Sequence, residues 1–126
     1  MMSDLGGLLQ IWESNYKKGL LSFWILLVLH EQPCYARELG RLIEGASGGS
    51  VTADDNSLYR ALNRFERLDL VRGESRPSSL GPDRRYYQLT AKGVRLLRQF
   101  TERNILVFRR AEVQRRLEAL MSPANE

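Results

Sequence analysis

Cysteine and histidine are almost absent from this chain, which has one of each, Cys34 and His30. A single cysteine excludes an internal disulfide and any cysteine-cluster metal site, and zinc would need carboxylates or a second subunit. Cys34 therefore reads as a small hydrophobe in a reducing cytoplasm, and His30 as a helix-end residue. The pair forms no constellation for acid–base or nucleophilic catalysis, because no orienting group is evident beside it. A phosphate-cradling glycine loop of P-loop type and a dinucleotide fingerprint are missing too, and "GASGG" reads as a flexible connection. An enzyme is the poorest fit, and no cofactor or metal is expected.

Also missing is an apolar run long enough for a bilayer. "LLSFWILLVL" (Leu20–Leu29) is the most apolar segment, about half the length of a membrane span, so it reads as a buried core helix. Asp4 and Glu13 precede it and no small-residue cleavage site follows, which argues against a signal peptide. A cytoplasmic protein without membrane attachment is expected.

What is present suits one domain. The chain has 126 residues, 43% hydrophobic and 27% charged, a composition that argues against wholesale disorder. Its net charge of +4 tilts it toward anionic partners, and where that charge sits matters more than its sum. No internal repeat is visible. Residues 1–16, "MMSDLGGLLQIWESNY", read as a helical lead-in with Leu5, Leu8, Leu9 and Trp12 on one side. A longer helix is expected from Tyr16 to His30, apolar around most of its circumference, so more than one layer must cover it. Pro33 ends it. "ARELGRLIE" (Ala36–Glu44) is the next helix, with Leu39, Leu42 and Ile43 inward, and the flexible "GASGGS" follows.

The stretch "NSLYRALNRFERLDLV" (Asn56–Val71) carries two faces. Leu58, Ala61, Leu62, Phe65 and Leu68 recur at amphipathic-helix spacing and should face a core. Asn56, Arg60, Asn63 and Arg67 fall in an opposite stripe roughly 60° wide. Such a stripe is commonly just a solvated face. Here it is built from Arg and Asn, which can read base edges and grip phosphates, with no Asp or Glu among them. Asp54 and Asp55 sit where an N-cap belongs, and Asp69 near the helix end can take the left-handed conformation. Both N-terminal aspartates would repel a nearby phosphate path unless capping turns them away.

A different texture follows: "LVRGES", "RPSSLGP" and "DRRYYQLT" read as strand, turn, strand. Arg85, Tyr87 and Leu89 share one strand face, and Arg84, Tyr86 and Gln88 the other. Thr90 is expected to cap a last helix from about Ala91 to Met121. Its apolar residues include Leu96, Leu97, Phe100, Val107, Phe108, Ala111, Leu117 and Leu120. Roughly thirty helical residues extend about 45 Å. Such a helix outreaches a small domain, and a second copy of the chain is the simplest cover for its apolar stripe.

Three helices and a two-stranded ribbon make the order of a winged helix-turn-helix, whose third helix is placed to enter a DNA major groove. "YKKGLLSFWILLVLHEQPCYARELGRLIE", "NSLYRALNRFERLDLV" and "RRYYQLTAKG" resemble the PadR family of prokaryotic transcriptional regulators over about residues 17–108. The more specific signal is Leu58-Tyr59-Arg60-Ala61-Leu62 followed by Arg84-Arg85-Tyr86-Tyr87-Gln88-Leu89-Thr90 and Gly93. The resemblance implies a mainly α fold with a two-stranded β-wing, a C-terminal dimerisation helix and repression by operator binding. It looks like the branch of the family with one terminal helix, which packs against the N-terminal helix of the other subunit. The expected organisation is a lead-in (1–16), a winged helix-turn-helix (17–90) and a dimerisation helix with its tail (91–126).

On that expectation Asn56, Arg60 and Asn63 make groove contacts, while Ser57 and Tyr59 hydrogen-bond phosphates. Tyr35 and Arg37 fix register on the backbone, and Lys17 and Lys18 reach the same strand. Arg84 and Arg85, with Tyr86 beside them at the wing, approach the minor groove or its phosphates. Other readings stand beside these. Tyr35, Tyr59 and Tyr87 could close the core, Lys17 and Lys18 could be plain surface lysines, and Arg67 could serve the helix dipole. Arg109, Arg110, Arg115 and Arg116 read as a solvated outer face. The resemblance further implies a small aromatic or drug-like effector held between subunits. Trp12, Phe23, Trp24, Phe100 and Phe108 are candidates to line that space, with ordinary packing as the alternative. A dimeric winged-helix adaptor that meets a protein rather than DNA is the rival from another functional class.

Overall fold

Residues 2–123 are described by the computed structural model. The chain divides into two compact units, Met1–Val94 and Arg95–Glu126. Met1 of the expected lead-in and residues 124–126 of the expected tail lie outside the described residues.

The first helix, α1, runs unbroken from Met2 to Glu31. The expected boundary near Tyr16 does not exist, because nothing there breaks a helix. Gly6, Gly7 and Gly19 cost some helix stability without ending it, and a Glu13–Lys17 pair at 3.7 Å spans that point one turn apart. The two halves of α1 differ in surroundings. Leu5, Leu8, Leu9, Ile11, Trp12 and Tyr16 are exposed, whereas Ile25, Leu26, Val28 and Leu29 are buried.

Pro33 follows the helix, and Cys34 then pairs backbone to backbone with Tyr87. The Cys34 amide donates to the Tyr87 carbonyl at 3.1 Å, and the Tyr87 amide to the Cys34 carbonyl at 2.8 Å. This isolated bridge was not visible in the sequence. Burial, with Glu38 adding to it, pushes the Cys34 thiol up to about 11.

Helix α2 spans Ala36–Ala46 and buries Ala36, Leu39 and Ile43, with Leu42 half-buried. The "GASGGS" connection is a hydrogen-bonded turn. Gly48 and Gly49 take φ of 63° and 80°, a region where only glycine is unstrained. The Ser47 hydroxyl accepts from the Val51 amide at 3.0 Å.

Helix α3, Asp55–Arg67, buries Leu58, Ala61, Leu62 and Phe65. Leu68 departs from the expected stripe. It is the C-cap, where the helix ends, and is 50% exposed. The Leu70 amide donates to the Phe65 carbonyl at 2.8 Å and the Asp69 amide to the Glu66 carbonyl at 3.0 Å. These two bonds make a Schellman ending with Asp69 in the left-handed position, at φ 62°.

Strands β1 (Val71–Ser78) and β2 (Gly81–Leu89) form an antiparallel hairpin. Both strands extend further into the expected turn than "RPSSLGP" suggested. Each is an edge of a two-stranded ribbon, where proline's missing N–H need not break a ladder. Pro77 falls at the register irregularity between Arg76 and Ser78, and Leu80 at the tip is 91% exposed.

A tight corner joins the hairpin to helix α4, Ala91–Asn104. The Thr90 hydroxyl donates to the Asp69 carbonyl at 2.6 Å and accepts from the Gly93 amide at 3.1 Å. The Lys92 ammonium donates to the Leu68 carbonyl at 2.8 Å. A Cβ on Gly93 would collide with the Leu70 carbonyl oxygen, which is backbone and cannot swing aside.

In the second unit the single long helix expected from Ala91 to Met121 is broken. After α4 comes a 3-10 turn, Leu106–Arg109, and then α5, Ala111–Leu120. The break carries Ile105 and Val107, whose branched Cβ lowers helix propensity. It is closed by side chains: Asn104 Nδ2 donates to the Phe100 carbonyl at 3.1 Å and Gln114 Nε2 to the Phe108 carbonyl at 2.6 Å. Arg110, at ψ 137°, is extended and sets the start of α5.

Two outcomes follow from this packing. Gly93→Ala should lower unfolding free energy by about 1–3 kcal/mol, the usual cost of overpacking. An unchanged urea midpoint would show that the corner gives way freely. At pH 8 a thiol titrating near 11 is thiolate in about one molecule per thousand. Cys34 should therefore resist iodoacetamide until the chain is denatured, and rapid labelling of the native protein would refute its burial.

Candidate nucleic-acid interface

With one side of α3 buried, its other side is the surface. Asn56, Tyr59, Arg60, Asn63, Arg64 and Arg67 are exposed and Ser57 partly so. Arg60 Nη2 donates to Ser57 Oγ at 3.4 Å, which leans one contact candidate on another. The carboxylates at the helix start are both engaged. Asp54 Oδ1 accepts from the Ser57 amide at 2.7 Å, and that bond holds the carboxyl below its usual range. Asp55 pairs with Arg37 at 3.6 Å.

Between α3, the start of α2 and the wing lies an open groove of about 440 Å³. Tyr35, Arg37, Arg41, Asp55 and Tyr59 line one side, and Ser78, Leu80, Gly81, Pro82, Asp83 and Arg84 the other. The Arg84 guanidinium stacks on the Tyr35 ring at 4.4 Å and that of Arg76 on the Tyr86 ring at 4.5 Å. The two rings meet edge to face at 5.4 Å. Arg41 Nη2 donates to the Tyr35 hydroxyl at 3.4 Å.

Arg84 and Arg85, paired in the sequence reading, part company here. Arg85 points to the opposite face of the hairpin, where its Nη2 lies 2.6 Å from Glu66 Oε2 on α3. Glu66 raises the pKa of that guanidinium further. Gly73 makes room for the bridge, since a Cβ there would meet the Arg85 guanidinium. Its amide also donates to Glu66 Oε2, at 3.4 Å. Tyr87 is buried on the same face and its phenol is shifted up by that burial.

Lys17 and Lys18 line a separate hollow of about 320 Å³ with Ser14, Leu21, Ser50, Val51 and Thr52. The effector candidates fall in both units. Trp12, 74% exposed, shares a hollow with Leu9, Glu13 and Tyr16. Phe23 and Trp24 pack edge to face at 5.9 Å, and Phe100 and Phe108 belong to the second unit.

Arg41, Arg76 and Glu66 were absent from the sequence reading. Arg41 had a signal, since it stands one turn after Arg37 on the same face of α2. Arg76 becomes visible only once the hairpin register sets it opposite Arg84.

The family model described as "Transcriptional regulator PadR-like family" matches residues 25–99. A PadR-like transcription factor from Bacteroides fragilis is 34% identical, with 71% of this chain and 84% of that one covered and a TM-score of 0.61. A PadR family regulator from Eggerthella lenta, 22% identical, is alike in fold over 94% of this chain and 98% of its own, at a TM-score of 0.71. Bacillus subtilis PadR, solved in complex with operator DNA, is 16% identical and alike in fold over 64% of this chain and 46% of its own, at 0.60. No curated protein matches. Among the described residues, no helix is long and apolar enough to cross a membrane.

The parting of the two wing arginines makes a testable difference. On a DNA duplex, Arg84→Ala should flatten the log–log salt dependence by about 0.9, the loss of one neutralised phosphate. Arg85→Ala should leave that slope unchanged and lower the melting temperature. Equal effects of the two on the slope would mean that the Glu66 bridge opens when DNA binds.

Proposed function

The chain belongs to the PadR-like family of transcriptional regulators, and from that premise we propose that it is a cytoplasmic homodimeric repressor binding an inverted-repeat operator. The observation that carries this reading is the outward row Asn56, Arg60 and Asn63 on a helix whose opposite side is wholly in the core. Asn suits adenine and Arg suits guanine in the major groove. The carboxylates nearest the helix start are engaged by the Ser57 amide and Arg37, so their repulsion of phosphate is reduced. That a fold relative was solved on operator DNA supports the same reading.

Dimerisation is supported by apolar side chains left in water. On α1 these are Leu5, Leu8, Leu9, Trp12 and Tyr16, and in the second unit Leu96, Phe108, Leu117, Leu120 and Met121. Exposed apolar surface of this extent calls for a partner, and a second copy with closed two-fold symmetry is the simplest. Two recognition helices related in this way read half-sites about 34 Å apart. A small aromatic effector would release the operator by binding one dimer geometry more tightly than the other. The exposed Trp12 and its hollow favour such a ligand.

Selection from a random duplex pool tests the whole reading. The expected product is an inverted repeat with half-sites one turn apart. Arg60→Ala should then relax preference at one base pair per half-site, at a cost of about 1–3 kcal/mol. A pool that enriches no sequence, with binding insensitive to salt, would leave the protein-binding adaptor as the better account.

A further inference from the structure

Tyr35 and Tyr86 touch three arginines that come from three different elements. Arg84 on β2 stacks on Tyr35, Arg76 on β1 stacks on Tyr86, and Arg41 on α2 donates to the Tyr35 hydroxyl. Arg76 and Arg84 are direct cross-strand partners. Like charges placed so repel one another, so the arrangement favours an anion that can sit near both. Compensation by carboxylates is partial: Glu74 pairs with Arg76 at 3.8 Å at an exposed site, Asp55 is paired with Arg37, and Asp83 lines the same groove without an ion pair among the described residues.

We propose that these three arginines form a clamp for the DNA backbone phosphates beside the recognition helix, with Tyr35 and Tyr86 as its positioning residues. The inference rests on the DNA-binding reading and extends it to how the wing side of the groove grips. A guanidinium over a ring keeps N–H donors for a further partner, and paired donors of this kind match two phosphate oxygens. Stacking also takes up part of the rotamer freedom of each arginine before any ligand arrives, so less is lost on binding. The edge-to-face contact of the two rings at 5.4 Å links Tyr35, just before α2, to β2. The guanidinium groups are therefore held relative to the helix-turn-helix and do not ride on a free hairpin.

The test is a salt series of binding titrations on a short mixed-sequence DNA duplex, with the full chain and four variants. Arg76→Ala should weaken binding and lower the salt slope by about 0.9. Arg41→Ala should do likewise. Tyr86→Leu, with every charge retained, should weaken binding about three- to tenfold, whereas Tyr86→Phe, which keeps the ring, should recover most of that loss. A folded Tyr86→Leu that binds like the parent would overturn the positioning role. Parental slopes for both Arg76→Ala and Arg41→Ala would overturn the clamp, and these exposed sites decide the matter even if Tyr86→Leu does not fold. A parent chain that binds no duplex at low salt fails at the earlier step, the DNA-binding reading itself.

Discussion

The approach of α4's first turn to the Leu70 carbonyl governs how α3 and the wing are held together. Only hydrogen fits at Gly93 against that oxygen. Around this point the last carbonyls after α3 find donors: Leu68 from Lys92, Asp69 from Thr90, Leu70 from the Thr90 amide. A helix end leaves such carbonyls without intrahelical partners. Here the partners come from the far side of the hairpin, so the end of α3 is fastened to the chain that leaves the wing. The end of α3 and the root of the wing are thus joined by these bonds.

Charge is distributed by the same economy of partners. Of the carboxylates that could spoil an anion-binding face, three are already committed, while Asp83 lines the groove without an ion pair among the described residues. Asp54 caps α3, Asp55 holds Arg37, and Glu66 holds Arg85 together with the Gly73 amide. An exposed pair such as Arg37–Asp55 adds little to stability. The effect of these contacts is on the field, because each neutralised carboxylate leaves the Arg41 and Arg84 guanidinium groups of the groove less opposed.

Periodicity made the core of the first unit readable. Leu39, Ile43, Leu58, Leu62 and Phe65 follow the spacing of their helices and are buried. Leu68 misled because the Schellman turn ends the helical register one residue earlier, which a pattern of apolar residues cannot register. Neither the continuity of α1 through Tyr16 nor the break at Leu106–Arg109 is marked by proline. Nothing near Tyr16 ends the helix, whereas Ile105 and Val107 lower helix propensity at the break and hydrogen bonds from Asn104 and Gln114 close it. The outward position of Asn56, Arg60 and Asn63 followed from the spacing of α3 alone. Arg41 and Arg76 enter through contacts made by Tyr35 and Tyr86 across elements, and Glu66 through its bridge to a strand residue far along the chain, none of which follows from helix spacing.

The wing shows how much of a binding surface depends on register. Side chains alternate along a strand, so a slip of one residue would exchange Arg84 for Arg85 and turn Tyr87 out of the core. What prevents the slip lies outside the hairpin. The reciprocal backbone pair between Tyr87 and Cys34 pins β2 to the segment before α2, and the burial of Tyr87 makes any other alignment costly. Cys34 suits that place because it is small and its thiol stays protonated in apolar surroundings. A position that carries no chemistry of its own thus decides which arginine faces the groove and which is held by Glu66.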